Sequence, residues 1–154
     1  MYSKLISFLG IALISLAIAD GASPVTISLS ARELPISDPF GGKPDPYIVV
    51  FYAFGSTGKF EQIGKTAVLS DTQNPNWSDE IKVDNFVPGT SQRLRFEVWD
   101  EDVDSDDLLG TVEFFLAELS NAESGRLEKE LGIQENGRLI VQNIARQNLT
   151  SNKF

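Results

Sequence analysis

The stretch Leu94-Arg95-Phe96-Glu97-Val98-Trp99-Asp100-Glu101-Asp102-Val103-Asp104-Ser105-Asp106-Asp107-Leu108-Leu109-Gly110 decides the reading of this chain. Leu94, Phe96 and Val98 alternate with Arg95, Glu97 and Trp99, the period-2 signature of a strand with one buried face. The eight residues Asp100–Asp107 then carry no apolar periodicity and hold five aspartates. Apolar character returns at Leu109–Leu116. The pattern is strand, acidic turn, strand. A calcium-binding helix–loop–helix fails on detail here. Asp100, Asp102 and Asp104 have positions 1, 3 and 5, but Ser105 stands where that loop needs Gly, and Thr111 where it needs a bidentate Glu. Both flanks also have strand period.

Outward from this stretch the same period recurs. Val25, Ile27 and Leu29 alternate with Thr26, Ser28 and Ser30. Tyr47–Tyr52 is a β-branched and aromatic run. Gly64–Leu69, Trp77–Val83, Arg126–Leu131 and Leu139–Ile144 complete eight predicted strands, and only Leu116–Ser124 has helical spacing. Turn-rich segments separate them. Eight short strands without an internal repeat predict an all-β fold, an antiparallel β-sandwich. If neighbours run antiparallel, every second connection lies at the same end. The connections after strands one, three and five are Pro35–Pro46, Ser70–Asn76 and Asp100–Leu108. They hold Asp38, Asp45, Asp71, Asp100, Asp102, Asp104, Asp106 and Asp107. Topology alone therefore gathers eight aspartates at one pole.

Composition narrows what such a pole can do. The chain has 154 residues, no Cys and no His, with 22 acidic against 13 basic residues and a net charge of −9. That excludes disulfides, thiolate or imidazole metal sites, Cys nucleophiles and His-dependent triads. A net negative charge opposes a nucleic-acid footprint. No base or nucleophile stands out, so an enzyme is not expected. Clustered carboxylates repel by roughly a kcal/mol or more per pair at a surface. An all-oxygen donor set on flexible loops selects a hard cation, Ca²⁺ above Mg²⁺. The competing reading of Asp100–Asp107 alone is a solubilising acidic turn.

The chain opens with Met1–Lys4 and then Leu5–Ala19, 15 uncharged residues ending in Ala17-Ile18-Ala19. About 20 apolar residues are needed to span a bilayer. The run reads as a secretory signal peptide, residues 1–19, cut after Ala19; the alternative is an uncleaved anchor. The expected domain is then 20–145, with a polar tail at 146–154. Without Lys4 the mature chain has 12 basic and 22 acidic residues, net −10. Sequons stand at Asn76-Trp77-Ser78 and Asn148-Leu149-Thr150.

Three motifs in order carry a resemblance. They are Asp38 followed by Gly42-Lys43-Pro44-Asp45-Pro46-Tyr47-Ile48-Val49-Val50; then Thr72-Gln73-Asn74-Pro75-Asn76-Trp77-Ser78-Asp79-Glu80; then Val98-Trp99-Asp100-Glu101-Asp102 closing on Asp107-Leu108-Leu109-Gly110. Together they resemble the C2 domain, the calcium- and lipid-binding module of signalling and trafficking proteins, over roughly Pro24–Ala145. A single strand precedes the first loop, so the resemblance implies the permuted, type II topology. In that topology Leu139–Ile144 supplies the strand missing from the start.

The resemblance implies calcium ligands Asp38 and Asp45 from the first loop and Asp100, Asp102 and Asp107 from the third. Asp106 is an alternative to Asp107, and Asp104 could serve a further ion. Carbonyls of Ser37 and Glu101 are candidates too, and Asp71 is a weaker one. Both loop spacings, Asp38 to Asp45 and Asp100 to Asp107, depart by one residue from the usual pattern. Tyr47, Trp77 and Trp99 are expected in the core. The implied function is a calcium-switched surface: about −5 of aspartate charge is offset by two or three Ca²⁺, whose open positions accept phosphate oxygens. Phe40, Lys43 and Val103 are the candidate membrane contacts. Lys59 and Lys65 are too few for a strong polyphosphoinositide site. The expected partner is anionic phospholipid, or an extracellular protein or matrix. The alternative function is an extracellular structural protein in which Ca²⁺ mainly stabilises the fold.

Overall fold

Strand β5, Gln92–Asp100, buries every second residue: Gln92, Leu94, Phe96, Val98 and Asp100 point inward. The alternation predicted from the sequence is therefore the one that packs. In the computed structural model, residues 22–36, 42–132 and 137–145 are described. The other elements are β1 Ser23–Arg32, β2 Pro46–Phe54, β3 Glu61–Lys65, β4 Asn76–Phe86, β6 Asp107–Phe115, helix α1 Leu116–Asn121, β7 Arg126–Glu130 and β8 Arg138–Asn143.

The strands form two four-stranded antiparallel sheets, ordered β4-β1-β8-β7 and β3-β2-β5-β6. Strand β8, from late in the chain, pairs with β1 in an unbroken register from Ile27↔Asn143 to Arg32↔Arg138. This is the placement that the permuted topology requires. The inner faces meet in one cluster containing Ile27, Leu29, Ile48, Val50, Leu94, Phe96, Val98, Leu109 and Leu139. At about 25 cal/mol per Å² of apolar surface, burial of this size can hold a domain that has no disulfide. Phe96 and Phe114 stack at 5.4 Å across β5 and β6. Gly110 lets β6 approach the end of β7: a Cβ there would lie 2.6 Å from Leu131 Cβ and 2.7 Å from its carbonyl oxygen.

Two expectations are corrected. The third strand is Glu61–Lys65, not Gly64–Leu69. It is an edge strand paired only with β2, so polar Glu61 and Gln62 serve in it, and a bulge at Val50/Phe51 shifts its register. It ends where Thr66 turns inward. The Thr66 hydroxyl accepts from Ile48 N at 2.9 Å, replacing a ladder carbonyl with a side chain. The second correction concerns aromatics. Trp77 joins the core, but Trp99 does not, and Tyr47 is buried outside the central cluster. Tyr47 and Trp99 are cross-strand partners, so they share the outer face of the second sheet.

Candidate functional site

The three acidic connections do lie at one end. Backbone bonds tie them together: Leu34 N to Gln73 O at 3.0 Å, Thr72 N to Pro44 O at 2.9 Å, and Glu101 N to Asp45 O at 3.1 Å. Carboxylates add a second layer. Asp45 N donates to Asp100 Oδ1 at 2.6 Å, and Asp71 N donates to Asp45 Oδ1 at 2.6 Å. Asp71 adopts a positive φ of 55°, which Asp tolerates and which aims its N–H at Asp45. First, second and third loops thus meet through Asp45.

Asp100 is the last residue of β5 and is 4% exposed. It points inward because β5 alternates, and the chain leaves the sheet just after it. Asp102, Asp104 and Asp106 lie on the exposed loop. Asp106 is bound on both oxygens. Tyr47 Oη donates to Oδ2 at 2.6 Å, and Asp102 N donates to Oδ1 at 3.3 Å. These bonds, the Tyr47 hydroxyl first, hold the Asp106 carboxyl below its usual value of 3.8. Burial, then the Asp106 hydrogen bond, pushes the Tyr47 phenol up to about 12. Asp107 opens β6, exposed and directly opposite Asp100 in the register.

Of the expected ligands, then, Asp45 and Asp100 are brought into contact, Asp102 follows within the same loop, and Asp107 faces Asp100 across the strand pair. Asp38, Phe40 and the Ser37 carbonyl lie outside the described residues, as do the expected signal segment 1–19, Asn148 and the tail 146–154. Lys43 is exposed, and Val103 is fully exposed at 104%. Ile36, 46% exposed where the first loop begins, is an apolar group that the sequence reading passed over. Its signal was an unpaired aliphatic residue inside an otherwise polar turn. The role of Tyr47 was also missed, because an aromatic inside a β-branched run reads as core.

Among the described residues, no three acidic side chains converge on a single point that a metal ion could take. The donor chemistry nonetheless fits a hard cation: carboxylates and carbonyls from separate loops, with no Cys or His donor in the chain. Residues 25–131 match the C2 domain family. The chain belongs to the C2 domain family. It is 34% identical over 122 residues to extended synaptotagmin-1 of Mus musculus, covering 74% of this chain and 10% of that protein. It is 38% identical over 95 residues to synaptotagmin-5 of Arabidopsis thaliana, covering 60% of this chain and 15% of that protein. The chain therefore spans only a small part of these relatives' length. Among solved structures, a C2 domain of plant extended synaptotagmin 1 superposes with a TM-score of 0.60 at 26% identity, covering 77% of this C2 chain and 90% of that one. Calcium and phospholipid binding are typical of the C2 family as a whole, and this C2 domain shares that family setting.

Proposed function

We propose that this C2 domain is a secreted, non-catalytic module that binds Ca²⁺ and, through the ion, anionic phospholipid. Asp38 and Asp45 of the first loop and Asp100, Asp102 and Asp107 of the third would hold the ion. When bound, the ion supplies positive charge and open coordination positions suited to phosphate oxygens. The chain's own residues do the rest. Asp45 and Asp100 preset the approach of the first loop to the third. The exposed Val103 and Ile36 present apolar tips to the headgroup region, the sequence offers Phe40 as a third candidate, and Lys43 adds a cation. Secretion rests on Lys4 and the apolar run Leu5–Ala19, and agrees with an oxygen-only site suited to millimolar extracellular calcium.

The single observation that carries this reading is the Asp45–Asp100 contact, which joins two loops 55 residues apart through a carboxylate. Calorimetric calcium titration and sedimentation with phosphatidylserine vesicles, with and without EGTA, test it. About one millimolar Ca²⁺ at a site of about 10⁻⁴ M should stabilise the fold by about 1.4 kcal/mol, several degrees in Tm. Asp100→Asn with Asp102→Asn should abolish both that shift and the calcium-dependent sedimentation. No heat and no shift in the wild-type domain would end the proposal. Stabilisation without vesicle binding would favour a matrix protein in which the ion serves the fold.

A further inference from the structure

The third loop is closed by a residue that belongs to neither the loop nor the core. We propose that Tyr47 is a positioning residue for the calcium site: its hydroxyl captures Asp106, fixes the third loop on the second sheet, and leaves Asp107 rather than Asp106 for the ion. This deepens the function proposed above and rests on it.

The ring of Tyr47 is itself fixed. It is 6% exposed, paired across the sheet with Trp99, and capped by Lys65 Nζ, 3.7 Å from the ring centroid. From this seat its Oη reaches Asp106 Oδ2 at 2.6 Å. The other oxygen, Oδ1, takes the amide of Asp102 at 3.3 Å. One carboxylate therefore spans from the second residue of the loop, Asp102, through the last, Asp106, to strand β2. Glu101 N, bonded to Asp45 O, fixes the loop's entry. The segment Glu101–Asp106 is held at both ends, with one oxygen of Asp106 on each of its two bonds.

The neighbouring Asp107 differs. It is already in β6, opposite the buried Asp100. Asp106 precedes the strand, and Asp107, the first residue of β6, shares a face with its register partner. Asp106 is directed to the outer face with Tyr47, which leaves Asp107 on the side of its register partner Asp100. The sequence resemblance favours Asp107 and keeps Asp106 as an alternative; the tyrosine gives the two a physical division of roles. A loop carrying Glu101, Asp102, Asp104 and Asp106 resists closing through like-charge repulsion, so a tether made before the ion arrives reduces the ordering cost of binding.

The test compares Tyr47→Phe, Asp106→Asn and Asp107→Asn in the full mature domain. It uses calcium titration by calorimetry, melting in EGTA, and amide hydrogen exchange across 101–106 in EGTA. Tyr47→Phe should weaken calcium about tenfold, close to 1.4 kcal/mol. It should speed exchange at 101–106 while moving the calcium-free Tm by only a few degrees. Asp107→Asn should remove calcium binding with the loop's exchange unchanged. In the double variant, Asp106→Asn should add nothing to Tyr47→Phe, as expected for two ends of one bond. Unchanged exchange and affinity in Tyr47→Phe would overturn the latch while leaving the calcium site standing. So would an Asp106→Asn loss equal to that of Asp107→Asn. A wild-type domain that takes up no calcium would instead defeat the function on which the latch rests.

Discussion

The two poles of this sandwich are both closed by side-chain hubs, and the hubs differ in charge. At the far pole, Gln92 is 1% exposed, and its amide is fully used. Its Oε1 accepts from Val87 N at 2.7 Å and Thr90 Oγ1 at 3.0 Å; its Nε2 donates to Tyr52 Oη at 2.7 Å and to the Asn85 carbonyl. At the acidic pole, Asp45 and Asp100 do comparable joining work by accepting from the amides of Asp71 and Asp45. An amide has donors and acceptors, so protein groups can complete it. A carboxylate only accepts, and neutral N–H groups fill its lone pairs without cancelling its charge. Hydrogen bonding finishes one pole as structure. At the other it leaves negative charge that no protein cation cancels in these bonds, which suits a cation.

The largest effect should come from breaking the neutral hub. Gln92→Leu keeps the volume but strands the Val87 amide, the Asn85 carbonyl and the Tyr52 hydroxyl. An unsatisfied buried group costs about 1–3 kcal/mol, and solvent reaches the exposed Asn85 and the half-buried Val87 and Tyr52, so the loss should reach about 2–4 kcal/mol. Urea unfolding measures it, and the calcium affinity of the protein that remains folded should be unaltered. A loss below about 1 kcal/mol would show that the far pole is as adaptable as the acidic one.

Gly110→Ala should have the next effect, about 1–3 kcal/mol. The added methyl meets the Leu131 backbone, not a flexible side-chain tip, so the two sheets must part locally. Gly110 pairs with Val98, only two residues from Asp100 along β5. The substitution thus tests whether packing beneath the acidic pole and the charge upon it are separable. Thermal unfolding should drop by several degrees in EGTA, with the calcium-induced rise preserved. Loss of that rise would mean that the loops depend on the tight sheet contact.

What the sequence reveals, and what it hides, follows the same division. Strong alternation in β1 and β5, buried on one face, is legible directly, and strand parity then places three loops at one pole without any contact information. Edge strand β3 escapes because a strand paired on one side needs no apolar stripe, and its limit is set by Thr66 bonding to Ile48, 18 residues away. At the site, acidic residues announce themselves by type. Their division of labour does not: Asp106 and Asp107 are identical side chains in adjacent positions, and the group that sorts them, Tyr47, lies on another strand. The face of Trp99 is legible from the alternation with Leu94, Phe96 and Val98; the expectation of a core place follows its aromatic type instead, and periodicity does not say how much cover the second face receives.

The smallest predicted effect separates the poles by titration. Gln92 does not ionise, so its hub is indifferent to pH. The Tyr47–Asp106 bond is sensitive at both extremes. Asp106 titrates below 3.8 in the folded chain, so its contribution is present above 3.8 and is lost as pH falls through the lower folded value. Tyr47 is raised from 10.0 to about 12, so its contribution is complete below 10 and fades between 10 and 12, where the unfolded chain releases the proton that the folded chain retains. Melting curves of the wild-type domain and Tyr47→Phe in EGTA should therefore run parallel from about pH 5 to about pH 9 and converge at both ends. Groups outside this pair are common to both proteins and cancel in the difference. A constant separation across the whole range would mean that the hydroxyl contributes packing alone and that the acidic pole is no more dependent on ionisation than its counterpart.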